Sequence, residues 1–375
     1  MVSIVTNSTA MLTSRYLNQA NTELSVSQAQ LQSGSLINRA SDNAAGMQIS
    51  NRLTAQTQGL SRAMANASDA YSVAQTAEGA LQESAEILGN LRDLSLQAAN
   101  GSYQDSDRRN LNQEAQALLD ELTRVANSTT YAGHHLLNGT FGRKAFQLDS
   151  DTNSISLHLL NTAPDNENMG GYHYLSEPVS VDTWSVNTDN QEFVFDYTDA
   201  QGNHIEQYLP LIAGDDVYQV ATYLNSHQDV FHASVTEQGR VQLFAAEQHA
   251  PFGLNLSEQS QSLFEFDAPE SKLLSQLDLS TQGRAQLAIG QVDAGIQFID
   301  RLRGSIGGFQ NRVESTLSNL ANVHQQIVRS NAALKDTDVA KASTALVKSQ
   351  MLRDGNSAML SQAKQSQHSA LSLLV

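Results

Sequence analysis

The chain has 375 residues, no cysteine and a formal net charge of −17 at pH 7. This length allows two or three domains. The absence of cysteine excludes disulfides, thiolate zinc sites and cysteine nucleophiles, and the acidic balance argues against nucleic acid as a partner because no basic face is available to neutralise phosphates. No run of about 18 apolar residues predicts a membrane span, and the first ten residues lack the features of a cleavable signal.

The composition changes sharply along the chain. All five prolines lie between Pro164 and Pro269, and proline in a helix interior costs about 3 kcal/mol, so both flanks are predicted to form long helices. Residues 145–270 also contain 15 of the 22 aromatic residues, with 20 acidic residues against one basic residue, Arg240. We therefore predict a mainly α fold, in which both chain ends form long helical bundle or coiled-coil flanks around an inserted, β-rich (α+β) outer domain.

Two helices are predicted before residue 100. Apolar residues recur every three to five positions over residues 11–33, and Gly34 ends this helix. The next helix is predicted from about residue 43 to 99, with Ser41 or Asp42 as its N-cap. It would be roughly 80 Å long at 1.5 Å per residue, a length typical of bundles and coiled coils.

A third helix is predicted over residues 106–126, and the short link before it implies an antiparallel helical hairpin. Glycine-rich residues 131–146 predict a β-turn segment. The insert then alternates between apolar and polar residues in strand fashion. Its predicted elements are strands at 155–159, 193–197 and 241–244, a hairpin turn at 199–203 and a helix at 216–226.

Helical periodicity resumes after Pro269. Apolar residues over 289–327 are spaced by about 3.5 residues on average, the spacing of a coiled coil. A connector at 336–338 precedes a last helix over 339–374. We expect the long helices to pack together within one chain through one set of apolar residues: Leu53, Leu60, Leu81, Leu88, Ile296, Ile306, Val313 and Leu320.

Two terminal helices are predicted, at 11–33 and 339–374. Together they bury too little apolar surface to form a core of their own, and helices of this length are marginal in water without packing. We infer that they pair with each other and with copies from neighbouring molecules, since heterologous contacts can run on as open helical filaments. The alternative is that they complete a monomeric bundle. The predicted subunit-interface residues are Leu17, Leu24, Leu31, Leu346, Met351, Met359, Leu360, Leu371 and Leu374.

Seven short stretches near the chain ends occur in an order that is shared with one family. They are residues 41–46, 49–54, 74–81, 92–100, 310–316, 336–338 and 371–374. Together they resemble the bacterial flagellins over roughly the first 142 and the last 95 residues, and hardly at all in the middle.

This resemblance implies a structural protein without catalysis, cofactor or metal. It implies export through the flagellar type III channel and assembly into the extracellular filament used for swimming. The implied partners are further copies, sister flagellins, an export chaperone, and the cap and junction proteins. The implied domains are an inner terminal-helix domain (1–42 and 336–375), a helical rod domain (43–144 and 271–335) and a variable, surface-exposed domain (145–270).

Some residues depart from the family pattern, namely the connector 33–39, the glycine pair 307–308, Val339 and Val375. They suggest a minor or specialised flagellin and leave a hook–filament junction protein as an alternative. A second alternative, from another class, is an adhesive surface protein with a lectin-like insert. His134 and His135 are adjacent but lack further ligands at metal-binding spacing, so we expect no metal site.

The resemblance further implies recognition by the animal innate receptor for flagellin, which reads the surface of residues 88–115. Leu94 and Glu114 match positions that this recognition favours. Asn90 stands where an arginine is favoured, and Gly89 replaces a longer polar residue. Weakened recognition is therefore expected.

Overall fold

The computed structural model describes residues 6–148, 154–187, 192–199, 202–247, 250–251 and 253–372. The chain divides into two compact units. Unit 1 comprises Met1–Ala65, Leu148–Asn153 and Leu317–Val375, and unit 2 comprises Asn66–Gln147 and Ser154–Thr316. The two chain ends therefore fold together, and the insert folds with the adjoining parts of the long helices.

Long helices occupy both flanks, as predicted. Among the described residues, the helices are α1 Ser8–Ser33, α2 Ala44–Ala99, α3 Asp105–Ser128, α4 Val217–His227, α5 Glu258–Phe264, α6 Gln282–Lys335 and α7 Val339–Ser372. The predicted insert helix corresponds to α4. Helix α5 was not predicted, and α6 begins seven residues before the coiled-coil pattern at Ile289 because its first two turns pack small residues instead of a regular apolar stripe.

The insert contains most of the strands, all of them paired antiparallel. The described strands are β1 Thr130–Tyr131, β2 His134–His135, β3 Gly142–Gln147, β4 Ser154–Leu159, β5 Gly171–Leu175, β6 Glu192–Thr198, β7 His204–Pro210, β8 Phe231–Val235, β9 Val241–Ala246, β10 Leu254–Leu256 and β11 Glu270–Lys272. Strands β1–β2 and β3–β4 form two hairpins, and the larger sheets have the orders β10-β6-β7 and β11-β5-β9-β8.

The three predicted strands coincide with β4, β6 and β9, which confirms them. Strands β6 and β7 are neighbours in register, with Thr198 opposite His204, so the predicted hairpin between them is also confirmed. Two residues of its predicted turn, Ala200 and Gln201, lie outside the described residues.

In unit 1, polar contacts join the start and end of the chain. The Asn7 side chain accepts a hydrogen bond from the Ala10 amide and so caps α1, while its Nδ2 donates to the Ala363 carbonyl of α7 at 2.9 Å. Gly34 ends α1 with φ of 68°, the left-handed conformation that favours glycine. The Leu36 amide donates to the Lys335 carbonyl at 2.6 Å, so the two connectors are tied directly to each other.

The predicted N-cap of α2 was wrong. Asn43 caps this helix, because its Oδ1 accepts from the Gly46 amide at 2.9 Å. Asp42 instead closes the connector before the helix, where its Oδ2 accepts from the amides of Asn38 and Arg39. Three consecutive residues had cap-forming side chains, and propensity alone does not choose among them.

The insert has a core of its own in unit 2. The insert core is aromatic, with Phe193 and Phe195 fully buried and Phe264 2% exposed. Among the residues predicted to pack the long helices, Leu81, Leu88, Ile306 and Val313 are fully buried and Leu320 is 8% exposed, whereas Leu53, Leu60 and Ile296 are half-buried.

Candidate subunit-contact surface

Helices α1 and α7 pack against each other along their length. The buried residues of α1 are Thr13, Ala20, Leu24 and Ser27, and those of α7 include Ala342, Ser349 and Ala363. Only Leu24 in this set has a large apolar side chain. Small residues allow two helices to approach closely, but they bury little apolar surface per residue. The most deeply buried positions of the pair are therefore occupied mostly by small side chains.

Those large side chains form a second face, which we call the outer stripe. Its members are Met11, Leu12, Tyr16 and Val26 of α1 and Val347, Met351, Leu352 and Met359 of α7. Each is between 43% and 69% exposed. At about 100° per residue, the members on either helix fall within an arc of about 140°, centred about 120–150° from the buried side. The centre of the outer stripe thus faces away from the buried side, while its edge residues Tyr16 and Leu352 lie about 20° from buried positions.

The residues predicted as the subunit interface divide between these two faces. Leu17, Leu24, Leu31, Leu346 and Leu360, which we call the inner leucines, lie by helical phase on the sides where α1 and α7 meet. Leu24 is buried and the other four are half-buried. Met351 and Met359 belong to the outer stripe, at 69% and 59% exposure. The side chain of Leu371 and all of Leu374 lie outside the described residues.

Six members of the outer stripe are not among the predicted subunit-interface residues: Met11, Leu12, Tyr16, Val26, Val347 and Leu352. The seven-residue spacing of Leu17, Leu24 and Leu31 draws attention to one face only. The signal for the second face was the presence of apolar residues on both sides of each helix, which a helix buried on one side alone does not require.

The insert contacts the rod helices through α6 in unit 2. A Cβ added to Gly290 would lie 3.1 Å from Cβ of His232 and 3.3 Å from Cδ1 of Phe244, so glycine at this position allows strands β8 and β9 to approach the helix. Beside it, Arg92 of α2 donates from Nε to Oδ1 of Asp293 at 2.6 Å. This hydrogen bond raises the pKa of Arg92 above its ordinary value.

Of the two insert histidines whose pKa is shifted, His173 is buried and His232 is half-buried. Burial lowers the pKa of His232, opposed by the charge of Asp293, because a charged imidazole is disfavoured away from water. Burial also lowers the pKa of His173, which is 8% exposed and whose Nε2 has no hydrogen-bond partner. Both side chains therefore favour the neutral form more strongly than a free histidine does.

The residues expected to face an innate receptor are not all on the surface. Asn90 and Glu114 are exposed, whereas Leu94 is only 8% exposed. Elsewhere, His134 and His135 form strand β2 and are exposed, and His135 Nδ1 lies 2.7 Å from the Asn127 carbonyl oxygen. Across the described part of the chain, no group of three or more His, Asp or Glu is placed to hold a metal ion, and no helix has the length and apolar character to cross a membrane.

Comparison with known proteins identifies the family. Residues 4–142 match the bacterial flagellin N-terminal helical region, and residues 289–374 match the bacterial flagellin C-terminal helical region. The chain belongs to the bacterial flagellins. It is 48% identical to polar flagellin E of Vibrio parahaemolyticus, with all of both chains covered. It is 42% identical to flagellin A of Vibrio cholerae, with 100% of this chain and 99% of that protein covered.

Solved structures give more distant likenesses. The flagellin of Bacillus cereus is 19% identical, with 68% of this chain and 88% of that chain covered and a TM-score of 0.36. The flagellar junction protein FlgL of Legionella pneumophila is 16% identical, with 78% and 100% covered and a TM-score of 0.42.

These findings establish a structural subunit of the flagellar filament, which is not an enzyme. Membership of the family implies self-assembly into an extracellular filament. The alignment to polar flagellin E covers the whole chain, so it also spans the insert, where the sequence motifs gave no resemblance. The same full-length identity favours the filament subunit over the junction protein and over the adhesive protein.

Proposed function

We propose that the outer stripe is the surface by which neighbouring flagellin subunits bind each other in the filament core. The inner leucines then hold α1 and α7 of one chain together. Two large apolar faces on one helical pair support this division, because one face is already used within the chain and the other is exposed to water. Contiguous exposed apolar surface on a soluble protein is typical of an interaction site.

The free energy for assembly comes from removing this stripe from water, at about 25 cal/mol per Å² of apolar surface. A stripe that runs along both terminal helices can contact different copies at different heights. Contacts of this heterologous kind extend as open helical polymers when they do not close into rings. The same surface therefore accounts for both the affinity and the open-ended growth.

Met351→Asp tests the proposal directly, because it places a charge in the middle of the stripe while leaving the α1–α7 contact intact. We expect its elongation rate on short wild-type filament seeds to fall at least about tenfold, since an unpaired charge buried at an interface costs several kcal/mol. The readout is filament length by negative-stain electron microscopy. The matched control is Gln350→Asp, which adds the same charge at an exposed position about 100° around the helix.

Leu24→Asp tests the inner leucines separately from the outer stripe. It should also abolish filaments, but through loss of the α1–α7 pair, so the monomer should lose helical circular dichroism while the insert stays folded. Met351→Asp should keep the helical signal of the wild type. Normal elongation by Met351→Asp would show that the stripe is not the subunit contact.

We also propose that a flagellar export chaperone covers the α7 part of the stripe before assembly, and that the cap and junction proteins bind the terminal helices at the filament ends. Val347, Met351 and Leu352 lie close together on α7 and are 44–69% exposed, which supports an apolar groove on the chaperone as their partner. We further propose that the chain is exported through the flagellar type III channel.

Weakened recognition by the innate flagellin receptor stays a proposal. Asn90 lies exposed on α2 where the resemblance favours arginine, and Leu94 is largely buried, so little of its side chain is available to a receptor. We expect Asn90→Arg to increase stimulation of a receptor reporter cell line, with Gln82→Arg, exposed on the same helix, as the matched control. Wild-type stimulation as strong as that of a typical enteric flagellin would contradict the proposal.

A further inference from the structure

We propose that Met11, Met351 and Met359 make filament assembly sensitive to oxidation. A two-electron oxidant of the peroxide class would convert these thioethers to sulfoxides on the free subunit, and the oxidised subunit would no longer join the filament. This inference rests on the proposed role of the outer stripe as the subunit contact.

The first observation is that three methionines of the outer stripe are exposed. Met11, Met351 and Met359 are 63%, 69% and 59% exposed, and all three belong to the outer stripe. Of the other methionines that the structure describes, Met47 and Met64 are half-buried and Met169 is fully buried. Among the methionines that the structure describes, the most exposed ones are thus concentrated on the surface proposed to polymerise.

The second observation is that the chain contains no cysteine. A cysteine thiolate would ordinarily react with an oxidant such as peroxide and spare the methionines, but the chain has none. The exposed thioethers are therefore the most readily oxidised groups that this protein presents to peroxide, and no disulfide or sulfenic acid can form in their place.

The chemistry is a single oxygen transfer. The thioether sulfur attacks one peroxide oxygen, so an S–O bond forms and the O–O bond breaks. The sulfur is oxidised by two electrons, hydrogen peroxide is reduced, and water leaves. The product is methionine sulfoxide, which is polar and which methionine sulfoxide reductases return to the thioether.

The effect on assembly follows from burial. A sulfoxide in the outer stripe costs little in the monomer, where its oxygen is hydrated. When the subunit docks, that oxygen loses its hydrogen bonds to water and gains no hydrogen-bond donor in exchange. One such unsatisfied group is enough to lower an association constant about tenfold. Subunits already in a filament have the stripe covered and should react more slowly, so oxidation would act on new growth and spare existing filament.

The test uses the full-length monomer, hydrogen peroxide and short wild-type seeds. Peptide mass spectrometry follows each methionine, and electron microscopy gives the elongation rate. We expect sulfoxide at Met11, Met351 and Met359 before Met169, elongation at least about tenfold slower, recovery after treatment with methionine sulfoxide reductases, and slower oxidation of the same three residues in preformed filaments.

Two variants identify the residues responsible. The triple variant Met11→Leu, Met351→Leu and Met359→Leu keeps an apolar stripe and should elongate at nearly the same rate before and after peroxide. The matched control, Met47→Leu with Met64→Leu, should stay as sensitive as the wild type. Unchanged elongation by wild-type monomer with all three sulfoxides in place would overturn the inference, as would full sensitivity of the triple leucine variant.

The outcome also separates this inference from the proposed function. If Met351→Asp blocks elongation while the sulfoxides do not, the outer stripe is the subunit contact and oxidation control is refuted. If Met351→Asp elongates normally, the proposed contact itself is refuted, and the inference falls with it.

Discussion

The terminal-helix pair and the insert bury their apolar residues in opposite ways. The insert has a core of large side chains, in which Phe193, Phe195 and Phe264 are at most 2% exposed. In the α1–α7 pair the buried residues are mostly alanine, serine and threonine, while methionine, tyrosine and valine side chains face outward. A region that buries its large side chains can be stable alone, whereas we propose that the terminal pair, which exposes them, is completed by neighbouring copies.

Because of this difference, one chain can be both a folded monomer and a filament subunit. The insert gains its stability from contacts within the chain, so it does not need neighbours. The terminal pair leaves its main apolar surface free for docking. We propose that the acidic insert lies on the outside of the polymer, where like charges on neighbouring subunits repel each other least.

Breaking the insert core should leave assembly intact. The Phe195 ring lies 5.0 Å from that of Phe231 in an edge-on arrangement, with Phe193 and Tyr197 at 6.2 Å. We expect Phe195→Ala to destabilise the insert by about 3–5 kcal/mol through the cavity it leaves.

The measurement is urea unfolding followed by the fluorescence of Trp184, whose ring stacks on Phe264 at 4.7 Å. Tyr208→Ala, at a residue that is 57% exposed, is the control and should change the midpoint little. If Phe195→Ala no longer elongated filament seeds although its long helices were folded, the insert would be needed for assembly. That result would contradict the expectation that assembly stays intact.

A smaller effect is expected at the contact between the insert and α6. Gly290→Val would push side-chain atoms against His232 and Phe244 and should destabilise the insert by about 1–3 kcal/mol. The matched control is Gly304→Val in the same helix, where an added Cβ has no heavy atom within 4 Å. Equal stability of the two variants by urea unfolding would show that the close approach at Gly290 is unimportant.

The smallest expected effect is a dependence on pH. Burial lowers the pKa of His232 and His173 below the ordinary 6.5, so the unfolded insert takes up protons at a higher pH than the folded one. Their contribution to stability is therefore complete above pH 6.5 and declines as pH falls below it.

Asp293 and Arg92 face His232 from α6 and α2, and Lys272, Glu270 and Arg240 surround His173. We expect the unfolding free energy to fall between pH 7.5 and 5.5, and to fall less in His232→Gln. An identical slope for wild type and His232→Gln would contradict the assignment to His232.

Much of the fold could be predicted from sequence because its signals are local. The confinement of proline to the middle and the apolar periodicity predicted α1, α2, α3, α6 and α7, and alternation predicted β4, β6 and β9. Helix α5 was missed because seven residues carry too little periodicity to separate a helix from a loop. Only the structure distinguished Asn43 from Ser41 and Asp42 as the cap.

The subunit-contact surface was harder to predict. Leu17, Leu24 and Leu31 form a regular series, but regular spacing shows that a face is apolar and not which partner covers it. Burial within the chain separates the inner leucines from Met351 and Met359. The close approach at Gly290 left no signal either, because a single glycine in a helix has many explanations in one sequence.

The most direct test of the central claim is the structure of the assembled filament by electron cryomicroscopy. We expect Tyr16, Met351 and Met359 to contact terminal helices of neighbouring subunits, while Leu24 still contacts α7 of its own chain. A filament in which the inner leucines contact neighbouring subunits, and the outer stripe faces water, would contradict it.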